Sequence, residues 1–277
     1  MVQTVSGSSS IGPGSIRSRG LLFFALEVEA KAVFREISRR GRVLLPAPCF
    51  CSPTEVCFPA NGFNKDRDGK KDQVWTGCVL GPGKAFERHL WEYLGTLSFR
   101  PDWVILAGFS GGLGPKAKSG ATFEINEILN YLSGGPDGNP GELIRLETSV
   151  NLCRGPLATS VHSPVVLNGP REKAKVFSEL HCDLVDMESL VFANAMKKLG
   201  YSYSIFRAVS DGPDESLPPL AINWMNEFGG LRPERLAWDL ICNPWLIRDL
   251  FRMAKASNIA GQNLGKLVFQ ALDVLGG

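Results

Sequence analysis

The sequence predicts an α/β fold, a mixed central β-sheet flanked by helices, and two observations carry that expectation. Short apolar runs of strand length alternate with longer segments of helical period, the pattern of a parallel or mixed sheet covered by helices. In addition, 44% of the 277 residues are hydrophobic and 21% charged, enough apolar material to bury a sizeable core.

Taken in order, residues 1–20 are rich in Ser and Gly, carry Arg17 and Arg19 as their only charges, and are expected to form a flexible tail. The apolar run 21–26 is stopped by Glu27 and Glu29 after six residues, short for a signal-peptide core, and reads as a buried strand over 21–25. Further strands are expected at 74–79, 103–107, 184–187 and 203–209. Helices are expected at 84–97, where Phe86, Leu90, Tyr93, Leu94 and Leu97 recur at helical spacing, and at 188–199, with Val191, Phe192, Ala195 and Leu199 doing the same before Gly200 ends it. Residues 45–72, with four prolines and a charged string, read as an excursion, a hairpin or a lid; 133–141 read as loop. From Pro218 the chain turns helical and aromatic. The expected organisation is thus a tail over 1–20, one domain over 21–217, and a helical C-terminal extension over 218–277 packed on that domain.

Bulk properties narrow the function classes. Thirty basic against twenty-eight acidic residues, with no long basic run, gives no footprint for nucleic acid. No apolar stretch reaches the ~18 residues of a transmembrane helix. The seven cysteines are odd in number and scattered, which fits a reducing, cytoplasmic compartment; Cys49, Cys51 and Cys57 cluster but lack the paired knuckles of a structural zinc site, so no metal is expected.

Three places combine a strand end with reactive residue types, and open α/β folds bind ligands at the carboxyl ends of strands. They are Ala25-Leu26-Glu27-Val28-Glu29, the glycine turn Ala107-Gly108-Phe109-Ser110-Gly111-Gly112-Leu113, and the pair Asp186-Met187-Glu188 and Ser210-Asp211. Each has a plain structural alternative. Glu27 and Glu29 suit a helix start, Asp186 and Glu188 suit a helix cap, and Ser210-Asp211-Gly212-Pro213 suits a turn.

Their joint order, together with Gly81-Pro82-Gly83-Lys84-Ala85 and Arg207-Ala208-Val209-Ser210-Asp211, resembles the nucleoside phosphorylase/nucleosidase superfamily over roughly residues 21–215. The resemblance implies its three-layer α/β/α fold. It is closest to the methylthioadenosine/S-adenosylhomocysteine nucleosidases and the hopanoid-associated members. Phosphorylases of the superfamily carry a basic residue two positions before the glycine of the central turn and an Arg-bearing loop after the first strand; here those places hold Leu106 and the acidic stretch from Glu27 to Glu29. A carboxylate repels phosphate, so water is the expected acceptor and a phosphorylase the alternative.

What the resemblance implies residue by residue follows from the chemistry, which passes through an oxocarbenium-like sugar. Asp211, kept protonated by burial and oriented by Ser210, donates to purine N7; Glu29 positions or deprotonates the water; Glu188 accepts from the ribose hydroxyls; Met187 packs on the sugar; the amides of Ser110 and Gly111 line the pocket. No cofactor is implied. The partners implied are a small purine nucleoside with a 5′ modification and a second copy of the chain in a homodimer. Two features depart from the family. Phe109 stands where Ser or Thr is usual, and residues 162–180 lack the adenine-stacking aromatic segment, with Phe177 the one substitute and core packing its structural alternative. His162 and His181 are expected to be structural or surface histidines. A rival of another class is a non-catalytic nucleoside-binding or membrane-associated scaffold. The run 244–255 forms a basic amphipathic helix, with Trp245, Leu246, Ile247, Leu250, Phe251 and Ala254 on one side and Arg248, Arg252 and Lys255 on another, that either docks on its own domain or makes a peripheral membrane contact.

Overall fold

The computed structural model describes residues 18–40, 54–58, 73–130, 146–147, 152, 155–218, 220–226 and 230–276. In chain order these form β1 (Ser18–Phe24), α1 (Glu27–Arg39), β2 (Thr54–Phe58), β3 (Gln73–Val79), α2 (Lys84–Thr96), β4 (Trp103–Gly112), β5 (Thr122–Asn130), β6 (Leu146–Glu147), β7 (Leu157–His162), α3 (Pro170–Leu180), β8 (Leu184–Asp186), α4 (Ser189–Leu199), β9 (Tyr203–Asp211), a 3₁₀ turn (Ala221–Trp224), α5 (Pro233–Cys242) and α6 (Leu246–Gly276).

All five expected strands and both expected helices are present, and β4 and β9 run on through the motif residues that were expected to follow them. The strand β1 starts at Ser18, inside the stretch expected to be tail, because it pairs in parallel with β3 from Ser18 to Phe24. Within the expected excursion, β2 pairs antiparallel with β3, as one side of a hairpin does. Residues 1–17, the loop 133–141, Cys49 and Cys51 lie outside the described residues.

One path of the sheet runs β2-β3-β1-β4, and the rest closes on itself. The strand β4 pairs with β8 and β9, β8 with β7, β7 with β5, and β5 with β9, so β4, β8, β7, β5 and β9 form a ring. The extra joints are antiparallel, β4 to β8 and β5 to β9, and a register shift in β4 between Ser110 and Gly111 lets the strand bend into the closure.

Alternation along β1 divides the core into two layers. Leu21 and Phe23 face one layer, where Phe86, Leu90 and Leu94 of α2 meet Phe192 and Met196 of α4. Leu22 and Phe24 face the other, built by Ala30, Val33 and Ile37 of α1 and by Ala260, Leu264, Val268 and Leu272 of α6. The result is the three-layer α/β/α arrangement. Helices α1 and α6 approach closely because Gly261 and Gly265 have no side chain; a Cβ at Gly261 would lie 2.8 Å from that of Ala32, and one at Gly265 2.9 Å from that of Glu36.

The 31-residue α6 is long because two cores share it. Its C-terminal half covers the sheet, while Leu246, Leu250 and Met253 join Leu236 and Leu240 of α5 around the buried Trp224, whose indole N–H donates to Asp239 (2.9 Å). The apolar side expected for 244–255 is therefore split: Leu246 and Leu250 pack inward, whereas Trp245, Ile247 and Phe251 stay exposed, Trp245 and Phe251 by 70% each. Among the described residues no helix is long and apolar enough to cross a membrane.

Candidate functional site

The carboxyl ends of β1 and β9, the bend in β4 and the end of β8, which runs antiparallel to β4 there, carry two groups of buried charges. The first is centred on Arg207 of β9, which is fully buried. Its Nη2 meets Asp186 Oδ1 at 3.0 Å and Ser189 Oγ at 2.9 Å, its Nη1 donates to the Phe109 carbonyl at 3.1 Å, and Glu188 Oε2 lies 3.6 Å away. Gly108 is what lets the cluster form, since a Cβ there would stand 2.6 Å from Arg207 Nη1 and 3.2 Å from Glu29 Oε1.

Glu29 sits in the first turn of α1. Leu26, the residue before that helix, has no side-chain oxygen with which to cap it, so the Glu29 carboxylate does so, accepting from the amides of Leu26 (2.8 Å) and Ala25 (3.1 Å). Its other oxygen accepts from the Phe109 amide at 2.7 Å, tying α1 to β4. Burial pushes this carboxyl up to about 7, against the hydrogen bonds from Phe109 and Leu26 and the nearby Arg207 charge. The helix-start alternative is thus correct for Glu29, and the same geometry places the group beside Arg207.

Asp186 and Glu188 divide the tasks that the sequence left open. Asp186 caps α4, accepting from the amides of Glu188 (3.0 Å) and Ser189 (2.7 Å) and from the hydroxyls of Ser160 and Ser189. Burial alone would raise its pKa, but Arg207 and these hydrogen bonds hold it below the usual carboxylate range. Glu188 makes no side-chain cap; its Oε1 accepts from the Gly83 amide at 3.1 Å, and burial raises its carboxyl despite Arg207. Met187 is half-buried beside it, where a Cβ on Gly83 would touch its methyl at 3.0 Å.

The second group surrounds Asp211, which pairs with Gly111 across the register shift of β4. Ser210 donates to its Oδ1 at 2.6 Å, as expected. Its Oδ2 meets Lys173 of α3 at 2.6 Å, a partner not anticipated from the sequence. Burial is the main cause that raises the Asp211 carboxyl, opposed chiefly by Lys173 and Ser210. Ser110 is buried, its carbonyl lies 3.3 Å from Ser210 Oγ, and its own hydroxyl has no partner among the described residues.

An apolar cavity of about 140 Å³ lies on this side, lined among others by Val161, Pro164, Val165, Leu167, Val176 and Val185. Val185 bounds it near Asp211, since a Cβ on Gly111 would be 3.0 Å from Val185 Cγ1 and 3.4 Å from Asp211 Oδ2. Phe177 packs into the core beside Leu113 and Val176, which removes it as a stacking aromatic. Phe109 turns its ring away toward α6 and offers the site only its backbone. His162 is partly buried, with burial lowering its pKa, and His181 is the left-handed residue that ends α3. Among the described residues no group of His, Cys, Asp and Glu is arranged to hold a metal.

No family model and no curated protein matches the sequence. Solved structures do match. The 5′-methylthioadenosine/S-adenosylhomocysteine nucleosidase of Helicobacter pylori is 15% identical with a TM-score of 0.60, covering 92% of this chain and 98% of that one. The chain has the nucleosidase fold. Futalosine hydrolase of Helicobacter pylori is similar at 16% identity and a TM-score of 0.60, over 92% and 97% of the two chains. The corresponding nucleosidase of Neisseria meningitidis, in complex with methylthio-immucillin-A, stands at 17% and 0.58, over 92% and 98%.

Proposed function

We propose that this chain is a purine nucleosidase that hydrolyses the N-glycosidic bond of a 5′-modified adenosine and releases adenine. The observation that carries the reading is the gathering of Glu29, Glu188 and Asp211 at one end of a nucleosidase-type sheet, each buried and each with its carboxyl raised. Structures of this fold that resemble it act on methylthioadenosine, S-adenosylhomocysteine or futalosine, all nucleoside-derived substrates.

In this mechanism the base enters the aliphatic cavity between Val161, Leu167 and Val185, whose apolar walls take the place of a stacking aromatic. Asp211 gives its proton to N7, so that the base leaves neutral, and Ser210 fixes the direction of the donating carboxyl. Glu29, with a pKa near neutrality, takes a proton from water as that water attacks C1′. Glu188 accepts from the ribose hydroxyls beside Met187, and the amides of Ser110 and Gly111 line the pocket. Water is favoured over phosphate because Arg207 is occupied by Asp186, Ser189 and Phe109, and Lys173 by Asp211.

The test is incubation with a panel of 5′-substituted adenosines, with and without phosphate, scored by free adenine. Release that requires phosphate makes the chain a phosphorylase. Tight nucleoside binding with no release at any pH makes it a binding scaffold.

The expected membrane contact has a candidate in the exposed Trp245, Ile247 and Phe251, which flank and open α6, a helix that also exposes Arg248 and Lys255. Exposed aromatic and basic side chains on one helix favour an anionic bilayer. Sedimentation with anionic liposomes, comparing the chain with Trp245→Ser/Phe251→Ser, decides it. Equal partitioning of the two ends the membrane reading; the expected homodimer is read separately, as a doubled mass in solution.

A further inference from the structure

The mechanism above gives no task to the buried cation beside Asp211. Helix α3 exposes Arg171, Glu172 and Lys175 to solvent, but its Lys173 side chain is completely buried. The ammonium meets Asp211 Oδ2 at 2.6 Å, the Gly212 carbonyl at 2.8 Å and the Glu215 carbonyl at 3.0 Å, with the Asp211 carbonyl further off at 3.4 Å. Three close acceptors match the three hydrogens of an ammonium. Withdrawing a lysine from water costs several kcal/mol unless such partners offset it. A lysine needed only to fill space under α3 has apolar substitutes that carry no such cost.

We propose that Lys173 is a positioning residue for the proton-donating carboxyl of Asp211, clamping it to the 212–215 turn and stabilising the carboxylate left when the proton departs. The inference rests on the hydrolytic reading above. In the step itself the Asp211 proton moves to N7, the C1′–N9 bonding pair goes to the base, and negative charge develops on the Asp211 carboxylate. Lys173 lies against that carboxylate and takes no part in the proton transfer. A charge placed in advance where charge develops lowers the barrier without reorganisation. It also keeps a buried carboxyl a strong enough acid, since burial alone raises its pKa and Lys173 opposes that rise. The charged groups facing Asp211 are Lys173 from α3 and Glu215 from the turn after β9; β4 presents Ser110 and Gly111, and β8 presents Val185.

Two measurements test this. The protonated carboxyl is the active form, so activity falls as pH rises through its pKa; without Lys173 that basic limb of kcat moves to higher pH. Lys173→Met is expected to lower kcat by about 10²-fold with little change in KM, and Lys173→Arg to recover part of the loss by restoring a cation. The second readout needs neither activity nor a folded Met variant. The ¹⁵N resonance of the Lys173 amine in the wild-type chain, titrated with pH, shows a step where the kcat limb lies, and Asp211→Asn removes the step. A folded Lys173→Met chain with an unmoved limb, or an amine resonance indifferent to Asp211→Asn, overturns the proposal. A wild-type chain that releases no base at any pH refutes the hydrolytic reading instead, and the amine titration still reports whether Lys173 is coupled to Asp211.

Discussion

The two groups of buried charge differ in their balance. Around Arg207, three carboxylates share one guanidinium, and two of them, Glu29 and Glu188, are raised while Asp186 alone is held low. Around Asp211, one carboxylate faces one ammonium, with Glu215 as a second acid nearby. Arg207 and the hydrogen bonds of the cap hold Asp186 low, whereas burial outweighs the same cation at Glu29 and Glu188. The Asp211 pair instead tunes a single acid.

Breaking the first group at its centre has the largest expected effect. Arg207→Met leaves Asp186 and Glu188 buried without their cation and is expected to cost about 3–5 kcal/mol of stability, read as a shift in the denaturant midpoint. A loss under about 1 kcal/mol would mean that the carboxylates of the cluster are neutral and that the cation does not organise them.

Breaking the second group at its acid is expected to remove the reaction. Asp211→Asn is expected to lower base release by about 10²-fold or more while nucleoside binding persists, since an amide keeps the shape without the proton. Retention of more than about a tenth of wild-type kcat assigns the proton to another donor. Glu188→Gln should act more mildly, raising KM and lowering kcat together because a charged acceptor on the ribose gains strength as the sugar becomes cationic. A 2′-deoxynucleoside turned over as well as its ribo form contradicts that role.

The smallest effect sharpens the contrast within the Arg207 group. The Glu29 carboxyl is raised from 4.5 to about 7 on folding, so the folded chain holds a proton that the unfolded one has lost. Its contribution to stability is full below about 4.5 and disappears as pH rises through about 7. Asp186 is lowered, so its contribution is present above its ordinary range and is lost on acidification. Glu29→Gln should therefore flatten the fall in stability between about pH 4.5 and 7, and Asp186→Asn should weaken the fall at acid pH. Identical pH profiles for the two variants would show that Arg207 does not distinguish the two acids.

Much of this arrangement was legible in the sequence where the pattern is local. The apolar runs of β1, β3, β4 and β9 stand out because both faces of these strands are covered, and the acidic and glycine residues at their ends mark the site. Strand β5 escaped because Glu124, Asn126 and Glu127 interrupt its apolar residues, and β7 because Thr159 and Ser160 shorten its run. With those two strands missing, the ring closure could not be seen.

Lys173 escaped for a different reason. In Pro170–Leu180 it sits among Arg171, Glu172 and Lys175 and reads as one more solvated charge. Yet Lys173, Val176, Phe177 and Leu180 share the i, i+3, i+4, i+7 spacing of an apolar stripe, so a lysine in that register was the available signal. Arg207 carried a comparable one, an arginine inside the otherwise apolar strand Tyr203–Asp211, where burial demands a partner.

The division of α6 between two cores also bears on how the chain comes to be folded during synthesis. Leu22 and Phe24 of β1 are made long before Ala260, Leu264, Val268 and Leu272 of the layer that shields them. Until α6 emerges, α1 alone covers that face of the sheet and the rest of it is bare, an aggregation hazard for any nascent or C-terminally shortened chain. A premature stop after Glu215 leaves that layer with α1 only, so the N-terminal strand and the C-terminal helix must become native together.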